Sequence, residues 1–142
     1  MSRFLSQLRE GDTEARLDAA IALAQLGQIA NQAFPSLIRA LEDDNPQVRA
    51  NIANVLGKIG QPLEQILPAL IYALDDNQAL VRANAANALG EIGQPAKQSV
   101  PTLISAVNDE DQWVRLNVVM TLGLIKEPTD TVVTCLSSTW MT

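Results

Sequence analysis

Aspartate and arginine recur together along the chain, always six residues apart. The recurring pairs are Asp43 with Arg49, Asp76 with Arg82, and Asp109 with Arg115. Carboxylates can act as general acids or bases, but that chemistry needs a cleft in which they converge on a substrate, and the spacing indicates none. An arginine presents a fork of N–H donors that suits carboxylates and the carbonyl oxygens of turns. Because the pair returns at one spacing, we expect it to serve the structure rather than catalysis.

Asparagine forms a second recurring set. Its members are Asn51, Asn54, Asn84, Asn87 and Asn117. Asparagine is a mediocre helix former, so its recurrence in a helical pattern needs a reason. A side-chain amide both donates and accepts hydrogen bonds, so these residues could join neighbouring helices or hold the backbone of a partner. Both interpretations stay open, and neither excludes the other.

The composition argues against several classes of function. The chain has 142 residues and no histidine, which removes the usual general base and the commonest metal ligand, so we expect no metal and no cofactor. Ten Lys and Arg residues against sixteen Asp and Glu residues give a net charge of −6. That balance is a poor match for the phosphate backbone of nucleic acids.

The location of the protein is predicted from three further features. One cysteine, Cys135, cannot form an internal disulfide, and the start of the chain carries no apolar segment behind a basic flank. The longest uncharged run, residues 19–38, contains glutamine, asparagine and proline, which a bilayer core does not accept without a large cost. We therefore expect a cytoplasmic protein with no membrane insertion.

The elements that position the recurring residues follow from a period of 33 residues. Positions related by this period are Pro35, Pro68 and Pro101; Val48, Val81 and Val114; and Gly57, Gly90 and Gly123. In each unit a first helix starts near the proline, and a second helix, such as 46–59, follows an Asp/Asn-rich turn. A single helical pair cannot bury its apolar side, whereas a stack of pairs can. The sequence therefore predicts an all-α fold, an α-solenoid.

We expect one domain over residues 1–142. Its predicted units are 1–27, 34–60, 67–93 and 100–126, with a partial fifth unit at 128–142 that would cap the stack. The predicted first helices are 35–42, 68–74 and 101–107. On the second helix of the second unit, Ala50, Ala53 and Gly57 lie opposite the apolar stripe, so a neighbouring helix can approach closely on that side.

The repeated residues resemble those of a known family. The pattern Pro-Ala-Leu-Ile-x-Ala-Leu-x-Asp, followed by Val-Arg-Ala-Asn-Ala-Ala-Asn-Ala-Leu-Gly-Glu-Ile-Gly, is similar to HEAT repeats, and more narrowly to the short phycobilisome-lyase HEAT-like repeats. The resemblance implies a right-handed superhelix of about four helical hairpins, with second helices lining a concave face. It also implies that the Asp and Arg pairs form a ladder of hydrogen bonds between neighbouring units.

The resemblance also implies the class of function. Members of the family commonly act as protein-binding scaffolds or adaptors, some attach bilins to phycobiliproteins, and others are iron-dependent hydroxylases. The hydroxylases need histidine ligands, which this chain lacks. The prediction is therefore a non-catalytic scaffold that binds a protein partner, with a phycobilin lyase or lyase-like chaperone as the alternative. A lyase would need cations for two propionates, and the second-helix positions that face the partner supply only Lys58, with Arg39 expected outside.

The second-helix positions that face away from the apolar stripe change character along the chain. They are acidic in the first unit, amide-rich in the middle, and apolar at Leu80, Trp113, Met120 and Leu124. An exposed aromatic residue beside Met and Leu is typical of a binding hot spot, although the C-terminal segment or further repeats could instead cover it. The predicted partner-binding residues are Asn51, Asn54, Asn84, Asn87, Trp113, Asn117 and Met120.

Overall fold

The computed structural model describes residues 2–26 and 34–125, and these two ranges contain helices but no strand. The α-helices are α1 (Ser2–Glu10), α2 (Thr13–Leu26), α3 (Phe34–Ala40), α4 (Pro46–Ile59), α5 (Leu63–Ala73), α6 (Ala79–Ile92), α7 (Val100–Ala106) and α8 (Gln112–Ile125), and a 3₁₀ helix spans Gln94–Ser99. None of these helices is long and apolar enough to cross a membrane. The predicted cap at 128–142, including Cys135, lies outside the described residues, as do residues 27–33.

The described helices pair in chain order into four hairpins, α1–α2, α3–α4, α5–α6 and α7–α8. The second helices of the hairpins then stack side by side. Helix α4 packs against both α2 and α6, and α6 packs against both α4 and α8. Each unit thus contacts its sequence neighbours, which is the packing of an α-solenoid. The prediction of an all-α solenoid is confirmed.

The core runs through the stack of second helices. In α4 the apolar stripe is buried, and so are Ala50, Ala53 and Gly57 on the opposite side. A Cβ atom placed on Gly57 would lie 2.6 Å from the Cβ of Ala88 in α6, so the two helices touch where the side chains are smallest. Small residues therefore allow α4 to be covered on two sides, as the pattern of its sequence predicts.

Local signals explain the ends of α4. The Asn45 side chain accepts hydrogen bonds from the backbone N–H groups of Gln47 (2.9 Å) and Val48 (3.1 Å), and Pro46 occupies the first helical position. Gly60 ends the helix with a positive φ of 70°, a conformation that glycine adopts without steric cost. These signals are legible in the sequence, so the predicted span of 46–59 is the observed one.

Helix α5 differs from the sequence-based expectation. The proline position predicts a start at Pro68, but the helix begins at Leu63 and Pro68 lies inside it. A proline removes one backbone N–H donor from a helix, which leaves the carbonyl of Glu64 without its intrahelical partner. Both Glu64 and Pro68 are exposed, so water can hydrate this carbonyl and the cost of the proline is reduced.

Candidate protein-binding site

The recurring Asp and Arg residues join neighbouring hairpins along one edge of the stack. Arg49 donates from Nε to Asp76 Oδ2 (2.9 Å) and from Nη2 to Asp76 Oδ1 (3.1 Å), and its Nη1 donates to the main-chain carbonyl of Asp43 (2.7 Å). Arg82 makes the same contacts with Asp109 (2.8 and 3.0 Å) and with the carbonyl of Asp76 (2.8 Å). Each arginine thus ties the turn of its own hairpin to the carboxylate of the next one. We call this row the ladder edge.

The ladder edge begins in the first unit. Arg16, which is 33 residues before Arg49, donates to Asp43 (2.7 Å) and to the carbonyl of Gly11 (3.0 Å). At the other end Arg115 donates to the carbonyl of Asp109 (2.7 Å), and the position equivalent to the next aspartate lies outside the described residues. Arg16 was absent from the predicted ladder residues, although the period of 33 points to it.

The charges of the ladder edge are set by these contacts. Burial raises the pKa of the Asp109 carboxyl, but hydrogen bonds from Arg82 and from the Asp111 backbone N–H outweigh it and hold that pKa below its ordinary value. The pKa of Asp43 is lowered in the same way by Arg16 and the Asn45 backbone N–H. A general base near neutral pH needs a raised carboxyl pKa, so these groups are poorly suited to acid–base chemistry.

Three of the five predicted asparagines donate a hydrogen bond to a main-chain carbonyl, in two different ways. Asn84 donates from Nδ2 to the carbonyl of Ala50 in the neighbouring helix (3.0 Å), whereas Asn51 and Asn117 donate to the carbonyl four residues earlier in their own helices (2.9 and 2.8 Å). The carbonyl oxygens of all three amides have no protein partner among the described residues. One amide therefore joins two units and the other two bond within their own helices, while each of the three keeps a carbonyl oxygen and one N–H.

The two remaining asparagines lie one turn further along their helices. Asn87 is exposed and its Nδ2 lies 3.4 Å from Glu91 Oε1, which makes a weak contact at the surface. Asn54 is half-buried, and no hydrogen bond to its side chain is present in the described part of the chain. A surface groove lies between α6 and α8, and neither of these side chains lines it.

That groove has a volume of about 400 Å³. The residues that line it are Ala79, Leu80, Ala83, Asn84, Asp111, Trp113 and Asn117. Trp113 is 63% exposed and Leu80 is 50% exposed, so two large apolar side chains face solvent across the groove. The structure therefore brings together three of the predicted partner-binding residues, Asn84, Trp113 and Asn117. We call this the Leu80–Trp113 groove.

An apolar stripe continues from the groove along α8. Met120 and Leu124 are 57% and 56% exposed, and Leu116 is exposed beside them. Seven residues, or about two turns, separate Met120 from Trp113, so both lie on the same side of the helix. Met120 thus belongs to the apolar surface of α8 beyond the groove, while Asn51 and Asn54 belong to α4, on the far side of α6.

Asp111 is a groove residue that sequence reasoning missed. Its Oδ1 accepts hydrogen bonds from the backbone N–H groups of Trp113 (2.8 Å) and Val114 (3.1 Å), so it caps α8 and holds Trp113 in the first helical turn. Its position before the helix was the available signal. Within residues 2–26 and 34–125, no group of three or more acidic, cysteine or histidine side chains could hold a metal ion.

One family model matches almost the whole chain. The model described as HEAT repeats matches residues 1–67 and again residues 67–138. The chain belongs to the HEAT repeat family. This membership confirms the resemblance seen in the repeated sequence pattern. No curated protein sequence matches the chain.

Solved structures with a similar fold include a natural lyase complex and a designed armadillo repeat protein. The complex of CpcE and CpcF of phycocyanin lyase from Nostoc sp. is similar at a TM-score of 0.74 and 23% identity, over 96% of this chain and 62% of that chain. A designed armadillo repeat protein in complex with the peptide (KR)4 is similar at a TM-score of 0.73 and 17% identity, over 98% of this chain and 70% of that one. The TM-scores show a shared fold, and at identities this low the likeness shows the fold alone. This HEAT chain spans about three fifths of the lyase chain that it matches.

Proposed function

We propose that this HEAT repeat chain is a non-catalytic binding module that holds a segment of a partner protein against its second helices. The observation that carries the proposal is the Leu80–Trp113 groove. Two large apolar side chains remain exposed there, although burying either of them would be favourable. An exposed Trp in a shaped apolar depression has the composition of an interface hot spot.

The amides beside the groove supply the polar part of this surface. Asn84 and Asn117 line the groove, and each uses one N–H within the protein. Each amide retains a carbonyl oxygen and a second N–H, which match the donor and the acceptor of a peptide group. An apolar anchor flanked by such amides suits a polypeptide better than a purely apolar ligand.

The designed armadillo protein supports the proposal at the level of fold. That protein is in complex with a peptide, and its helices superpose on those of this chain. The shared architecture supports the capacity of stacked helical hairpins to hold a peptide. The side chains that would select a particular partner are those of this HEAT chain alone.

A peptide library displayed on phage tests the proposal. Peptides enriched on the wild-type protein should bind Trp113→Ala at least tenfold more weakly, which corresponds to about 1.4 kcal/mol. Tyr72→Ala is the matched control because Tyr72 is also an exposed aromatic residue, 79% accessible, but belongs to the first helix α5. Fluorescence anisotropy gives the affinities, and thermal unfolding checks that both variants are folded.

Two results would contradict the proposal. One is enrichment of no peptide on the wild-type protein. The other is a set of enriched peptides whose affinity falls with Tyr72→Ala and is unchanged with Trp113→Ala.

The phycobilin lyase alternative is favoured by the structural likeness to the complex of CpcE and CpcF. An open-chain tetrapyrrole carries two propionates, which call for at least two cations. Of the second-helix positions predicted to face a partner, Lys58 supplies one cation, and Arg39 belongs to the first helix α3. Mixing the protein with phycocyanobilin tests this function, since binding would shift the visible absorption band of the pigment.

A further inference from the structure

The exposed side of the second helices changes in chemistry from one end of the stack to the other. Two rows of equivalent positions, one helical turn apart, cross α2, α4, α6 and α8. The first row consists of Glu14, Gln47, Leu80 and Trp113, and the second consists of Asp18, Asn51, Asn84 and Asn117. Each row is acidic at α2 and carries an amide at α4. The rows meet the Leu80–Trp113 groove at α6 and α8.

The acidic end consists of two carboxylates that form no ion pair within the described ranges. Glu14 and Asp18 are both exposed, and neither forms an ion pair or a side-chain hydrogen bond within the described ranges. Arg16 lies between them in sequence, but its guanidinium pairs with Asp43 on the ladder edge. The two carboxylates therefore present a negative charge that a cationic partner can approach.

The distance between the two ends sets the length of a segment that could reach both. Packed helices lie about 8–10 Å apart, and the groove between α6 and α8 is two and a half such steps from α2, or roughly 20–25 Å. An extended chain advances about 3.3–3.6 Å per residue, so about six or seven residues cover this distance. A helix would need more than twice as many residues, at about 1.5 Å each.

The middle of the path favours an extended segment over a helix. Asn51 lies between the two ends and Asn84 lies at the edge of the groove, and each amide retains a carbonyl oxygen and one N–H for an external partner. An extended backbone presents unpaired N–H and C=O groups to such amides, whereas a helix has already paired its own.

Resting on the proposed function, we propose that the partner segment is extended, that one large apolar side chain of it fills the Leu80–Trp113 groove, and that a lysine or arginine about six or seven residues away pairs with Glu14 and Asp18. The apolar contact supplies most of the affinity, because exposed ion pairs contribute modestly. The charge contact selects the partner and its direction along the stack.

Synthetic peptides test this inference. Each peptide carries one Trp anchor and a Lys-Arg pair, placed three, six or nine residues away across a Gly/Ser spacer, and a matched set replaces Lys-Arg with Asp-Glu. At 50 mM salt the six-residue basic peptide should bind about tenfold more tightly than its acidic counterpart. This preference should weaken at 300 mM salt, where the charges are screened.

Charge reversal on the protein completes the experiment. Glu14→Lys with Asp18→Lys should reverse the preference in favour of the acidic peptide. Glu42→Lys with Glu64→Lys, which changes the net charge equally at exposed positions of the first helices and their turn, should leave the preference as in wild type.

The outcomes distinguish a failure of this inference from a failure of the proposed function. Peptides that bind in a Trp113-dependent manner but ignore both the charge and the spacing would overturn this inference and leave the proposed function standing. Peptides that bind equally to wild type and Trp113→Ala would overturn both.

Discussion

On the ladder edge the same residues return in successive units, whereas several positions on the second-helix side of the stack change from unit to unit. Along the ladder edge the same contacts return with nearly the same geometry, as the 2.7, 2.9 and 2.8 Å distances from successive arginines show. On the second-helix side, equivalent positions change from Glu14 to Trp113. On the ladder edge each repeated arginine has a repeated aspartate as its partner in the next unit, so these residues serve the stack. A residue that varies from unit to unit has no such partner, and its variation can serve recognition.

The largest effect on stability is expected at the ladder edge. Arg82→Ala removes the donors to Asp109 and to the carbonyl of Asp76, and it leaves a half-buried carboxylate without its cation. The expected loss is about 2–4 kcal/mol of unfolding free energy. Chemical denaturation measures it, and Arg39→Ala, an exposed residue of α3, is the control. A loss below about 0.5 kcal/mol, the usual range for surface substitutions, would contradict the structural role of the ladder.

A pair of glycine substitutions separates the helix interface from the exposed side. Gly57→Ala would place a Cβ 2.6 Å from the Cβ and 2.7 Å from the Cα of Ala88, so a backbone must move, and the expected loss is about 1–3 kcal/mol. Among residues 2–26 and 34–125, no atom lies within 4 Å of a Cβ placed on Gly123 in α8, so Gly123→Ala should stabilise by up to about 1 kcal/mol through helix propensity. Thermal unfolding of both variants checks the prediction, and equal shifts would contradict it.

Asparagines within the same row should also differ in their effects. Asn84→Ala loses the bond to the Ala50 carbonyl, about 1 kcal/mol, and regains part of this through helix propensity. Asn51→Ala loses only a bond within its own helix and should be neutral or slightly stabilising. Urea denaturation should therefore place the two variants about 1 kcal/mol apart. If both destabilise equally, the row has the same structural role throughout.

The sequence predicted the boundaries of α4 correctly and the start of α5 incorrectly. The span of α4 followed from Asn45, Pro46 and Gly60, because capping and helix termination are local properties. The predicted start of α5 at Pro68 was wrong. Whether a helix tolerates Pro68 in its interior depends on solvent exposure, which the position of a proline in the sequence does not reveal. Local signals therefore sufficed only where the physical cause was itself local.

The candidate site was predicted in part for the same reason. Trp113 and Asn84 were expected to face a partner, but the groove between them exists only because Leu80 of α6 and Trp113 of α8 lie side by side. The turn residue Asp111 was missed because it precedes α8 and so belongs to no side of a helix. Which carbonyl each asparagine binds depends on its rotamer, and the pattern of residue types carries no information on that choice.

The smallest expected effect is a change in the pH dependence of stability. The folded pKa of Asp43 and of Asp109 lies below the ordinary value of about 3.9, so the unfolded state takes up protons first as the pH falls. The stability from these carboxylates is therefore fully present above about pH 5, and it is lost as the pH falls from about 4 through the folded pKa. With no histidine in the chain, stability should be flat between pH 5 and 8.

A variant assigns this acid sensitivity to the ladder edge. Asp109→Asn should be less stable than wild type at pH 7, and the difference should shrink as the pH is lowered towards 3, because protonation removes the same charge from the wild type. Glu110→Gln, at a neighbouring side chain that is 90% exposed and 3.9 Å from Arg82, should follow the wild-type profile. Unfolding free energies from urea titrations at several pH values measure both. A difference between wild type and Asp109→Asn that stays constant down to pH 3 would mean that the Asp109 charge does not stabilise the fold, and that the ladder acts through packing and neutral hydrogen bonds alone.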